Sequence, residues 1–260
     1  MEPLHIVVLA VLQGVVEFLP ISSSGHLILV PSLLGWPDQG LAFDIAVHLG
    51  TLIAVIAYFH RELVTLIGAA FDRDAAQFGL AWSIAFASVP VAVAGLLLAD
   101  LVAGPLRTPG VVAATTGGFG ILLWLVDRYA AGTRSEHSLG MRRALMIGVG
   151  QALAVIPGTS RSGITMTVGL AVGLSREAAA RFSFLLAIPA IGMAASWEIL
   201  QLVGSAASVD WPTLFVAALT SAMTAFATIA VFLRIIARAG MWPFALYRLV
   251  LAAVIVAVLV

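Results

Sequence analysis

Two short stretches carry most of the side chains able to do chemistry. In QGVVEFLPISSSGH, residues 13–26, Gln13 and Glu17 stand four apart and share one face of a helix. Beyond Pro20, Ser22 and His26 have the same spacing, and Ser23 precedes His26 by three. A hydroxyl near an imidazole, with a carboxylate close by, is the equipment of nucleophile–base chemistry. The second stretch, PGTSRSGIT at 157–165, reads as an anion site. Gly158 and Gly163 let the backbone approach a ligand closely. Ser160, Ser162 and Thr165 offer donors, and a half-helix from about residue 164 presents free N–H groups and a positive dipole end. Arg161 adds a planar, permanently charged fork matched to phosphate oxygens.

Plainer roles exist for the same residues. Ser24 and Ser162 suit packing or capping, Glu17 and Arg161 could form a structural ion pair, and His26 could be a hydrogen-bonded interior histidine. Asp44 reads as interfacial and Glu198 as a buried polar partner, while His48, His60 and His137 lack a constellation.

The elements that position these groups must work in lipid. The chain has 260 residues, of which 62% are apolar and only 10% charged, with a mean hydropathy of +1.10. A soluble domain carries about 25% charged residues. Thirteen basic residues, all arginine, balance thirteen acids, so the basic excess of a nucleic-acid binder is missing. The absence of cysteine excludes disulfides, thiol catalysis and thiolate-bound metals. Met1-Glu2-Pro3 lacks the basic stretch of a cleavable signal, and Pro3 suits the first turn of a helix instead. The expected class is an all-α polytopic membrane protein.

Six stretches meet the roughly 20 apolar residues of a crossing helix: about 41–59, 80–99, 110–127, 179–203, 211–236 and 242–260. Two regions are interrupted. Residues 4–19 and 22–35 flank Pro20 and the serine run, and 142–156 and 164–174 flank the second stretch. Each piece reaches only ~17–24 Å at 1.5 Å per residue. Such pairs suit re-entrant helix-loop-helix hairpins, whose non-helical turn must be buried in protein or line a cavity.

The interrupted regions resemble one another. At an offset of 138 residues, Gln13 aligns with Gln151, Ser22 with Ser160, Ser24 with Ser162, Gly25 with Gly163 and Gly35 with Gly173. Three full spans follow each copy, so the second half inserts upside down. The expectation is one integral domain, 1–260, with pseudo-repeat halves of about 1–130 and 139–260. In such inverted repeats the site lies where the broken helices meet. If both hairpins return to their side of origin, ten arginines (Arg61, Arg73, Arg128, Arg134, Arg142, Arg143, Arg176, Arg181, Arg234 and Arg238) collect on one face, and Arg107 alone on the other. The positive-inside rule then puts the mouth of the first hairpin outside. Arg248 lies near a span end, where it could snorkel to the surface. Arg161, at a hairpin tip, has no such escape.

The stretches at 13–26 and 157–165 resemble, without gaps, the two signature motifs of the undecaprenyl-diphosphate phosphatases, the bacitracin-resistance phosphatases. FSFLLAIP at 182–189 and PFALYR at 243–248 extend the likeness along the chain. The resemblance implies hydrolysis of undecaprenyl diphosphate to undecaprenyl phosphate and inorganic phosphate. That reaction recycles the lipid carrier for peptidoglycan and removes the target of bacitracin. It also implies a divalent cation, Mg²⁺ or Ca²⁺, and a multi-pass protein of the bacterial cytoplasmic (inner) membrane. Carried over residue by residue, the first motif supplies Gln13, Glu17, Ser22, Ser23 and His26, and the second Ser160, Arg161 and Thr165. Glu17 is the metal-ligand candidate. Gln13 stands where many members have Glu.

Hydrolysing a diphosphate requires neutralised phosphoryl charge and an in-line nucleophile. Arg161, Ser160, Ser162, Thr165, Gln13 and Ser22 are the expected substrate-binding groups, and Glu17, Ser23, His26 and Arg161 the catalytic ones. Ser23, His26 and water stay open as the nucleophile. The expected partners are a polyprenyl diphosphate and the bilayer, with no nucleic acid, and a homodimer is left open. The rival function is a lipid-phosphate flippase or secondary transporter, because inverted repeats with broken helices also build transporters. A pure scaffold leaves Glu17, His26 and Arg161 unexplained.

Overall fold

The structure is a computed structural model that describes residues 2–37, 39–130, 132–204 and 210–260. Its helices in chain order are α1 (Pro3–Val16), α2 (Ser23–Leu34), α3 (Leu41–Ala69), α4 (Phe78–Leu97), α5 (Ala99–Ala103), α6 (Pro109–Tyr129), α7 (Met141–Ala152), α8 (Arg161–Ala171), α9 (Arg176–Val203), α10 (Trp211–Ala239) and α11 (Trp242–Leu259). Among the described residues the only β-type pairing is one isolated bridge, Arg134 with Leu174.

Six of these helices, α3, α4, α6, α9, α10 and α11, are long and apolar enough to cross a membrane. They coincide with the six uninterrupted apolar stretches of the sequence. Helix α9 is central, with 61% of its most apolar window buried, against 22% for α4, α10 and α11. The outer surface is strongly apolar: Val64, Leu97, Leu200, Phe215 and Met223 all stand exposed. Hydrocarbon suits such a surface and water does not. The chain is therefore an all-α, multi-pass membrane protein.

The interrupted regions break where the sequence interrupts them. Helix α1 stops at Val16 and α2 starts at Ser23; α7 passes through a 3-10 turn, Leu153–Val155, and α8 starts at Arg161. Each restart follows a serine in the left-handed region, Ser22 at φ 74° and Ser160 at φ 68°, the two non-glycine residues with positive φ among those described. That conformation costs about 1–2 kcal/mol for an L side chain, so the surroundings must enforce it twice. Helices α7 and α8 start 138 residues after α1 and α2. Helix α1 packs on α10, α7 on α4, α3 on α9 and α6 on α11, a set of pairs that exchange of the halves maps onto itself.

One end of the bundle is tied by charge. Arg176 Nε donates to Asp127 Oδ1 at 2.6 Å, and Arg181 reaches both Glu136 and Glu62. Asp127 Oδ2 also accepts from the backbone N–H of Met241 at 3.0 Å. The side chain of Arg107, the lone arginine expected at the opposite face, lies outside the described residues.

Candidate active site

The two breaks meet. Ser162 Oγ, at the start of α8, donates to the carbonyl of Leu19 at 2.8 Å. The backbone N–H of Gly158 donates to Ser24 Oγ at 3.1 Å. Arg161 Nη2 donates to Glu17 Oε1 at 2.8 Å. Gly158 must be glycine: it sits at φ 88°, and a Cβ there would fall 2.2 Å from Thr115 Oγ1.

Arg248 departs from the sequence expectation. It does not snorkel but is fully buried. Its Nε donates to the carbonyl of Thr116 at 3.0 Å, and Nη2 to those of Gly158 at 3.1 Å and Thr159 at 3.0 Å. Longer bonds of 3.4 Å run to Pro20 and Thr115. The reason is the breaks themselves. Non-helical backbone at depth leaves carbonyls that need donors, and a guanidinium brings five N–H groups in one plane. No carboxylate pairs with Arg248 among the described residues. Its charge therefore adds a positive field behind the tips. An arginine inside the apolar run after Trp242 was the available signal, and position near a span end hid it.

Glu17 collects a set of partners on one flank. Besides Arg161, its Oε2 accepts from Gln13 Nε2 at 2.9 Å, and His48 Nε2 lies 3.9 Å away. His48, which the sequence left without a constellation, reaches the site from α3, and nothing in its local spacing announces this. Gln13 is fully buried, and its Oε1 finds no partner among the described residues. Arg161 also donates from Nη1 to the carbonyl of Ser183 at 3.3 Å and lies over the Phe18 ring.

On the other flank, His26 Nδ1 lies 2.7 Å from the carbonyl of Ser22, and Nε2 lies 2.6 Å from Tyr247 Oη. Ser23 is half-buried, and its hydroxyl makes no hydrogen bond among the described residues. It stands at the first turn of α2, on the same face as His26.

The two helix starts differ. Helix α8 is capped: Ser160 Oγ accepts from the N–H of Gly163 at 3.2 Å. Thr165 Oγ1 bonds the carbonyl of Arg161 and Ser183 Oγ, at 2.9 and 2.7 Å, and Ser160 pairs with Ser162. These hydroxyls build the second tip. Helix α2 has no side-chain cap, because Ser22 turns its Oγ toward Ser24. Its positive end, with the Ser23 hydroxyl upon it, is the one left without a side-chain cap.

One cluster of three potential metal ligands exists among the described residues: Glu62, Glu136 and His137. Both carboxylates are held by Arg181. Glu62 lies fourteen positions past His48 on α3, ~21 Å along the helix axis, so this cluster is remote from the site. At the site, the orphaned Gln13 Oε1 and the Glu17 carboxylate offer two oxygens on one helix face, the donor type that hard divalent cations take.

The model of the family described as bacitracin resistance protein BacA matches residues 6–254. An undecaprenyl-diphosphatase of Nitrosococcus oceani is 50% identical over 260 residues, covering 98% of each chain. Undecaprenyl-diphosphatase 2 of Stutzerimonas stutzeri is 49% identical, covering 98% of this chain and 97% of its own. Undecaprenyl-diphosphatase 1 of Pseudoalteromonas translucida is 48% identical over 96% of each. With both motifs joined at one buried site and the match running along nearly the whole chain, this protein belongs to the bacitracin resistance protein BacA family.

Proposed function

We propose that this chain is a membrane-embedded phosphatase that hydrolyses undecaprenyl diphosphate to undecaprenyl phosphate and inorganic phosphate. One observation carries the reading: Glu17 and Arg161, from two separate broken segments, are paired, and the helix that restarts after the first break carries an unbonded serine hydroxyl one turn from a histidine. The printed names of the relatives support it.

The terminal phosphate lies over the uncapped start of α2, where free N–H groups and the dipole favour anions. Arg161 holds its oxygens, and the unpaired charge of Arg248 stabilises the charge that develops there. Ser23 Oγ attacks the terminal phosphorus. The bridging P–O bond breaks, undecaprenyl phosphate leaves, and water then cleaves the phosphoserine to free inorganic phosphate. His26 is the base on which the proton of each attacking oxygen comes to rest in turn. Direct attack by His26 is disfavoured, since both ring nitrogens are engaged. Gln13 Oε1 and Glu17 would hold a divalent cation such as Mg²⁺ or Ca²⁺, which would supply charge neutralisation on the phosphate oxygens. Among these residues, Gln13 and Glu17 also align Arg161 through the bonds already described.

The broken segments act as re-entrant hairpins of an inverted repeat in the bacterial cytoplasmic membrane, with the first opening outward, where the arginine count is lowest. The C55 tail stays in lipid or between spans. All the named groups come from one chain, so the chemistry calls on no second copy.

The test is phosphate release by purified protein in detergent from C55 and shorter prenyl diphosphates, with and without chelator. Stoichiometric phosphate, lost on chelation and restored by Mg²⁺ or Ca²⁺, is expected. A flippase or transporter, lacking any sealed compartment there, would release none, and that result would end the phosphatase reading.

A further inference from the structure

The histidine at the site is held at both nitrogens, and this determines how its protons move. His26 Nδ1 lies 2.7 Å from the backbone carbonyl of Ser22. A carbonyl only accepts, so Nδ1 carries the hydrogen. In the neutral ring Nε2 is then the bare nitrogen, and Tyr247 Oη, at 2.6 Å, donates to it. The imidazole and phenol rings are nearly parallel, 5° apart, with centroids 5.5 Å from one another. Nε2 has one lone pair, and the phenol occupies it. Tyr247 comes from α11, 221 residues away, and no spacing in the first motif points to it. It keeps 44% of its surface exposed. The imidazole keeps only 4%, so the phenol is the more accessible partner of the pair.

We propose that Tyr247 is a catalytic proton relay between the attacking oxygen and His26, an assignment that rests on the phosphatase reading above. As the Ser23 oxygen bonds to phosphorus, its proton moves to Tyr247 Oη, directly or through one water, and the proton on Oη moves to His26 Nε2. Tyrosine stays neutral throughout, and the imidazolium keeps its Nδ1–H on the Ser22 carbonyl. As the bridging P–O bond breaks, that proton returns through Oη to the departing phosphate. The hydrolytic step repeats the transfer, with water as donor and the Ser23 oxygen as final acceptor, so atoms and charges balance over the cycle.

Tyr247→Phe keeps the ring against His26 and removes only the hydroxyl. The expected result is a kcat lower by about 100-fold, the scale of general acid–base assistance, with KM within about threefold of wild type. A wild-type rate in mixed H₂O and D₂O should follow a curve requiring two protons in flight, and the variant should follow a straight line or show no isotope effect. A Tyr247→Phe enzyme with wild-type kcat and the same curve would overturn the relay and leave a packing role. Should that variant fail to fold, 3,5-difluorotyrosine at 247 retains the hydroxyl and its bond while making it more acidic. Unchanged kcat and isotope effect in that protein would equally overturn the proposal. If wild-type protein releases no phosphate at all, the phosphatase reading fails instead.

Discussion

The guanidinium of Arg161 and the carboxylate of Glu17 lie 2.8 Å apart across 144 residues of sequence. Both are largely buried, with 14% and 8% of the side chains exposed. Each belongs to a different broken segment, so the pair joins the two halves of the chain at the point where its helices stop. Removing one partner of a buried pair costs about 3–5 kcal/mol, because the other charge is stranded. The bond thus serves two ends. It holds the tips together, and it fixes the arginine fork before an anion arrives. The plainer reading of the pair as a structural tie and the functional one as a phosphate clamp are compatible in this geometry.

Arg161→Ala should lower kcat/KM for undecaprenyl diphosphate by about 10³-fold, since a charge-assisted contact is lost in a low-dielectric site. Arg161→Lys should recover less than about tenfold of that, because a point charge does not reproduce the fork. Thermal unfolding in detergent separates the two roles: Lys should restore part of the stability while leaving turnover poor. Wild-type-like hydrolysis by the alanine variant would remove Arg161 from substrate binding.

Ser23→Ala should abolish the phosphoenzyme. With substrate labelled by ³²P in the terminal phosphate and quenching in detergent at neutral pH, wild-type protein should retain label that then survives acid, as phosphoserine does and phosphohistidine does not, and Ser23→Ala none. Label that survives in Ser23→Ala but is lost in His26→Ala would assign the nucleophile to the imidazole. An absence of label in wild type under rapid quenching would leave water as the direct attacker.

Much of this was legible in the sequence. Pro20 and Pro157, with small and hydroxyl-bearing residues around them, announced the breaks, and hydropathy alone placed the six long helices. Gln13, Glu17, Ser22, Ser23 and His26 were legible because they lie within one and a half turns of each other on either side of one break. What the sequence withheld were residues that arrive from other helices. His48 sits in an apolar run whose periodicity says only that it is helical, and Tyr247 and Arg248 lie in PFALYR, which extends the resemblance but assigns neither of them a place at the site. Their roles follow from tertiary packing of α3 and α11 against the tips. The direction of the second tip's hydroxyls was also hidden. Ser160, Ser162 and Thr165 read as open donors, but a left-handed Ser160 turns its Oγ back onto the start of α8, and burial leaves the other two bonded within the protein.

The orientation has a simple measurement, because the chain contains no cysteine. Gln39→Cys, in the segment between α2 and α3, should react with a membrane-impermeant maleimide in intact cells. Ser135→Cys, exposed in the segment between α6 and α7 near several arginines, should react only after lysis. The reverse pattern would turn the first hairpin toward the cytoplasm and contradict the positive-inside assignment.

Arg248 should be the residue whose loss most damages the frame of the site. Its replacement by Met keeps the apolar stem and removes every donor. The carbonyls of Pro20 and Thr159 then have no remaining hydrogen-bond donor among the described residues, while those of Thr115 and Thr116 keep their helical bonds. Stranding a buried carbonyl costs about 1–3 kcal/mol. Against this stands the desolvation of a buried guanidinium, which Met no longer incurs. The carbonyls should dominate, since the arginine charge is spread over five neutral acceptors and the backbone at the breaks has no helical alternative. A net loss of about 3 kcal/mol corresponds to roughly 6–12 °C in Tm for a chain of this size. Gly163→Ala probes the same packing more gently, because its Cβ would lie 3.0 Å from Arg248 Nη1 and 3.1 Å from Ser160. Unfolding should be followed by intrinsic fluorescence in detergent, beside phosphate release. An Arg248→Met protein with wild-type Tm and turnover would mean that water replaces the guanidinium at the tips, and that the buried charge contributes nothing to holding the diphosphate.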